Sequence, residues 1–163
     1  MSSKTRIDIR RATSSDVADL VRISAKFRSE LAGFQPQFWR VAEGADEKQH
    51  GFFEFVISQD KMVVLVAESE TGIQGFLMAA FVPAPPVYDP GGLTCLVDDF
   101  GVKNTEDWIE IGEQLLNYLS PLAKEKGCNQ MVIICPQLHL GKRSLLSSLE
   151  FSVASEWWVR GLP

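Results

Sequence analysis

The apolar positions of this chain change period repeatedly, and each change marks an element. Ile7 and Ile9 alternate with polar neighbours, as in a strand, before Thr13-Ser-Ser-Asp16 supplies the spacing of a helix-capping box. Val17, Leu20, Val21, Phe27 and Leu31 then recur at helical spacing, with Gly33 as the stop. Residues 34–58 mix Phe34, Phe38 and Trp39 with Pro36 and Gly44, and predict a second helix over about 47–58.

Valine-rich residues 62–68 and the run Gly72–Val82 predict two strands joined by Ser-Glu-Thr-Gly, a hairpin turn in which Gly72 can take a positive φ. Pro83, Pro85, Pro86 and Pro90 deny ladder donors, so a loop follows. A strand over Leu93–Val102 then leads into the strongest helical period of the chain. It is carried by Trp108, Ile111, Gly112, Leu115, Leu116, Leu119, Leu122 and Ala123, and Pro121 is expected to kink or end it. A strand over 131–135, a short helix over 142–149 and a last strand over 151–159 complete the order β, α, α, β, β, β, α, β, α, β. On that last strand Trp157 and Trp158 would place one indole on each face, which leaves a homodimer contact open.

Composition narrows the partners. With 163 residues and 45% hydrophobic content the chain fits one domain over 1–163 that needs no disulfide or metal staple. A net charge of −5 without a basic face argues against nucleic acid and anionic membrane. No run is apolar and long enough to span a bilayer and no signal peptide opens the chain, so a soluble cytoplasmic protein is expected. Cys95, Cys128 and Cys135 show no C-x-x-C spacing, and His50 and His139 have no ligand-spaced companions, so reduced thiols and no metal site are expected. The charge itself is concentrated. Six acids and one base fall between Val97 and Glu113, which equals the net charge of the whole chain. That segment reads as a strand entering a helix, where acids in the first turn stabilise the helix but oppose a bound anion.

Order and motif spacing together resemble the GNAT superfamily of N-acetyltransferases over nearly the whole chain. IDIRRATSSDVADL is similar to its first strand and helix, and VLVAESETGIQGFLMAAF to its hairpin of second and third strands. LVDDFGVKNTEDWIEIGEQLL aligns without a gap on its strand end, its loop Q/R-x-x-G-x-G/A and the Leu-Leu that follows, and SLEFSVASEWWV on its final helix-to-strand passage, with Glu150-Phe151 where Gly-Phe usually stands. The resemblance implies an α/β fold, α+β in some schemes: a mixed, mostly antiparallel, twisted sheet of six or seven strands flanked by about four helices. It further implies acetyl-coenzyme A as cofactor and a small-molecule or peptide amine as acceptor. Phe100, Gly101 and Val102 would hold the carbonyl and pantetheine arm, and Asp107, Trp108, Ile109, Glu110, Ile111 and Gly112 would form the pyrophosphate loop.

The departures from that pattern carry chemistry. Asp107 and Glu110 replace the loop's Q/R and first glycine, so the loop is degenerate, while Gly112 can equally serve close helix-to-sheet packing. His139 stands where the family often places a cofactor-contacting Asn, although a surface loop is its ordinary setting. Leu146 stands at the general-acid Tyr and cannot donate a proton. Asp98 and Asp99 are the candidates for base or amine-binding group, one on each face of the strand unless a bulge intervenes. Lys142 and Arg143 are expected on the surface, with an anion as the alternative, and the aromatic cluster from Phe27 to Phe53 is expected in the core rather than in an acceptor pocket. N-acetyl transfer is the reading adopted. Beside it stand a transfer-deficient GNAT-like domain that binds another ligand or a protein, and a different acyl-coenzyme A or coenzyme A-free enzyme using the acid pair.

Overall fold

The computed structural model describes residues 6–163. Its elements run β1 (Asp8–Arg11), α1 (Val17–Phe34), α2 (Ala45–Ile57), β2 (Met62–Ser69), β3 (Gly72–Val82), β4 (Leu93–Val102), α3 (Trp108–Glu125), β5 (Cys128–Ile133) and α4 (Leu140–Ser148), with short 3-10 turns over Ser14–Asp16 and Thr105–Asp107. The strands lie in sequence order, antiparallel from β1 to β4, and β5 joins β4 in parallel. None of the described helices is long and apolar enough to cross a membrane.

The period-two pattern of β2 and β3 sorts side chains between two cores. Val63, Leu65, Ala67, Leu77, Ala79 and Phe81 pack with Trp108, Leu115, Leu119 and Leu145 of α3 and α4. Val64, Val66, Phe76 and Met78 pack with Val17, Leu20, Ile23, Phe53 and Val56 of α1 and α2. The sheet is therefore covered on both faces, and its central strands read as near-continuous apolar runs. The expected capping box is present. Asp16 accepts from the Thr13 N–H at 2.8 Å and takes two bonds from Arg10, at 2.7 and 2.9 Å, while Arg10 also reaches Glu68 at 2.7 Å. This cluster ties β1, β2 and the start of α1 together, and the Arg10 guanidinium holds the Asp16 carboxyl below its usual range.

Five strands rather than six or seven form among the described residues, because residues 151–163 join no ladder. The reason lies at the end of α4. Glu150 N–H donates to Ser147 O and Phe151 N–H to Leu146 O, the paired bonds of a Schellman motif, with Glu150 at φ 62°. The chain leaves that turn toward the α1–α2 connection. Trp157 there meets Phe38 edge to face at 5.7 Å, and both Trp157 and Trp158 are exposed instead of lying on opposite faces of a strand. Two other expectations shift. Helix α3 passes through Pro121 to Glu125, and β5 begins three residues before the predicted strand.

Candidate functional site

The site begins with an irregularity in β4. Leu77 stands opposite Phe100 and Ala79 opposite Val97, so Met78 alone faces both Asp98 and Asp99. This is a β-bulge, and it changes which face each residue takes. Cys95 and Val97 before it and Phe100 and Val102 after it all point into the α3 core, a parity that an unbroken strand cannot give. Asp98 is exposed, and Asp99 turns toward α1 and α2.

There Asp99 closes a ring of side chains. Ser24 Oγ and Gln49 Nε2 donate to its Oδ2 at 3.3 and 3.1 Å, and Arg28 donates to both Ser24 Oγ and Gln49 Oε1 at 3.0 Å. Arg28 also pairs with Asp46 at 2.6 Å. Burial raises the Asp99 carboxyl to about 6, against the opposing pull of the Lys142 charge and the Ser24 bond.

Just past the bulge, β4 and β5 part. Their pairing ends at Val97 and Ile133, with a last bond from Ile134 N–H to Val97 O at 3.1 Å, so Asp98 to Val102 have no β5 neighbour. The start of α4 fills the wedge. Lys142 is fully buried, with Nζ 5.2, 5.0 and 5.6 Å from the ring centres of Phe27, Phe100 and Trp108, and it donates to Phe100 O at 3.4 Å. Desolvation pushes its ammonium down to about 8, opposed by Cys135, Asp99 and Asp98. His139 caps α4 by accepting the Lys142 N–H on Nδ1 at 3.2 Å, so the neutral ring carries its proton on Nε2. That buried Nε2 has no hydrogen-bond partner among the described residues, and Glu30 Oε2 lies 3.9 Å away. Burial and the Lys142 charge lower the His139 pKa. Since Phe100 O turns toward Lys142 while Lys103 N–H donates back to β3 at Gln74 O, strand alternation turns the N–H groups of Phe100 and Val102 into the wedge.

Residues 107–112 form no open loop. A 3-10 turn ends at Asp107, whose carboxylate accepts from Asn104 Nδ2 at 2.9 Å, and Trp108 opens α3. Trp108, Ile111 and Gly112 are buried, whereas Ile109 and Glu110 are exposed. A Cβ at Gly112 would collide with Leu145 Cδ2 and sit 3.4 Å from Phe100, so the packing role of this glycine is real.

The structure thus brings Asp99, Phe100, Val102, Trp108 and His139 to one wedge and leaves Asp98, Ile109 and Glu110 at its rim or outside. His139 and Lys142 are buried rather than on the surface. Sequence reasoning missed Lys142, yet a signal was present: it lies three residues before Leu145 and four before Leu146, on the apolar face of α4. The aromatic cluster divides, with Phe27 and Phe53 in the core and Phe38 and Phe52 exposed.

No protein-family profile and no curated protein matches the sequence. Solved structures do. A predicted acetyltransferase with acetyl-CoA from Clostridium acetobutylicum is 20% identical with a TM-score of 0.74, over 96% of each chain. A point mutant of the BH1408 protein from Bacillus halodurans is 18% identical with a TM-score of 0.83, covering 96% of this chain and 99% of its own. A ribosomal-protein-alanine N-acetyltransferase from Brucella melitensis is 17% identical with a TM-score of 0.65, covering 96% and 100%.

Proposed function

We propose that this chain, which has the GNAT fold, is an acyltransferase that moves an acetyl group from acetyl-coenzyme A to an amine. The observation that carries the reading is the wedge beyond Val97, because the bulge that opens it also brings a carboxylate of raised pKa to its edge. The backbone donors at the wedge suit a cofactor carbonyl or amide, while the start of α4 covers the Phe100 position. Phe100 and Val102 offer N–H donors and Gly112 keeps the helix close, whereas Asp107 and Glu110 oppose phosphate charge at the start of α3. When bound, acetyl-coenzyme A supplies an activated thioester.

The residues then divide the work. Asp99, ionised above about pH 6, takes the ammonium proton of the acceptor, which frees its lone pair. The N–H groups of Phe100 and Val102 would hold the thioester carbonyl oxygen. Lys142, whose ammonium is pushed down to about 8, would be the proton donor toward the leaving sulfur in place of Leu146. His139 caps the turn that carries Lys142 and fixes it in the wedge.

Calorimetry with acetyl-coenzyme A and steady-state transfer to an amine panel test the reading. Asp99→Asn should keep cofactor affinity and lose turnover by roughly 100-fold or more, and the fall in rate below about pH 6 should vanish with it. No cofactor binding, or full turnover in the Asn variant, would refute it.

A further inference from the structure

A cavity of about 430 Å³ lies between α1 and α2, within the range of small-molecule sites. Phe38, Trp39 and Phe52 supply its aromatic wall, and Arg28, Arg40 and Lys48 its charge. Its lining holds no carboxylate. Arg28 is neutralised by Asp46, while Arg40 and Lys48 have no carboxylate partner among the described residues, and Lys48 Nζ donates only to the Glu43 carbonyl at 2.9 Å. Asp99 does not line the cavity, but two side chains of its hydrogen-bonded ring do. Arg28 and Gln49 line it on one side and belong to the Asp99 ring on the other, so the cavity and the carboxylate share these two side chains. Both ring bonds to Asp99 fall on Oδ2, and Oδ1 carries none among the described residues.

Resting on the transferase reading above, we infer that this cavity binds the acceptor, and that the acceptor is a primary amine on a ring-sized apolar body that also bears a carboxylate. The aromatic wall fits the body, Arg40 and Lys48 fit the anion, and the ring at Asp99 fits the amine. Polyamines and other polycations are disfavoured, because two uncompensated cations would face them with no acid in the lining.

The test is calorimetric and needs no cofactor. L-phenylalanine and L-tryptophan should bind at least tenfold more tightly than 2-phenylethylamine, which lacks the carboxylate, and than spermidine. Raising salt should weaken their binding. The double variant Arg40→Gln, Lys48→Gln changes exposed positions and should erase the preference over 2-phenylethylamine. Equal or tighter binding of 2-phenylethylamine or spermidine, no binding of either amino acid, or an unchanged preference in the double variant would overturn the inference. Acetyl transfer to some other amine without this binding preference would sink the acceptor class and leave the transferase reading standing. Binding of the amino acids without transfer to any amine would sink the transferase reading and leave only an amino-acid site.

Discussion

A fully buried lysine in a three-ring cage should cost this protein stability, and replacing Lys142 with Met measures how much. Its pKa falls from 10.5 to about 8 on folding, chiefly through desolvation. At about 1.36 kcal/mol per pH unit the charged form is disfavoured in the folded state by about 3 kcal/mol. Against that stand the attraction of the ammonium to its rings, about 0.5 to 2 kcal/mol, and one long bond to Phe100 O at 3.4 Å. Methionine has similar length, no charge and favourable sulfur contacts with aromatic rings. Lys142→Met should therefore unfold at higher urea, by about 1 to 3 kcal/mol at pH 7. The pH dependence gives a sharper check. A base whose folded pKa is depressed carries its full penalty below that pKa, so the gap should be constant below about pH 8. It should shrink as pH rises toward 10.5 and disappear above it, because the unfolded lysine has then lost its proton too. Comparing the two proteins at each pH cancels the titration of groups that the Lys142 charge does not touch, which leaves Asp99, Cys135 and His139 as its coupled partners. A less stable Met variant at pH 7, or a gap that ignores pH between 8 and 10.5, would refute the reasoning. The same variant should be slower in acetyl transfer, since stability gained at a working site commonly costs activity.

Three further outcomes are expected. Gly112→Leu should lose roughly 1 to 3 kcal/mol in thermal or urea unfolding, because its side chain must displace Leu145 and press on Phe100; unchanged stability would remove Gly112 from the helix interface. Glu150→Gly should gain roughly 0.5 to 1 kcal/mol by relieving a positive φ of 62° within the Schellman turn, and a loss would show that the Glu side chain does more than occupy the position. Asp107→Arg with Glu110→Gly should raise coenzyme A affinity at least tenfold by calorimetry, since each carboxylate about 5 Å from a phosphate opposes it by roughly 1 to 3 kcal/mol. No gain in the folded double variant would mean that the two acids point away from the phosphates.

The parts of this fold legible in sequence are those set by repeating pattern. Capping at Asp16, the hairpin at Gly72 and the amphipathic face of α3 all depend on neighbours a few residues apart. The fate of residues 151–159 does not. Their apolar residues suit a strand, but a strand needs a partner, and the turn at Glu150 directs them to Phe38 instead. The site was half legible. Asp98 and Asp99 stood out as a pair, whereas choosing between them required the bulge, and the bulge is visible only in the pairing of β4 with β3. Lys142 was misjudged because charge type was given more weight than its place on the apolar face of α4. His139 looked like a loop residue because the three rings that enclose it come from α1 and α3, far away in sequence.

The bulge also bears on how this protein can vary in length. Because strand faces have period two, the extra residue at Asp98–Asp99 works as a phase shift between two halves of β4. Deleting either residue would make the ladder regular and keep Phe100 opposite Leu77 and Val102 opposite Gly75, both still facing the α3 core, with one residue left opposite Met78. The core downstream therefore does not fix how many residues stand opposite Met78. The extra residue is thus a local device: the strand faces the same core with or without it, and what it adds is the turn that exposes Asp98 beside Asp99.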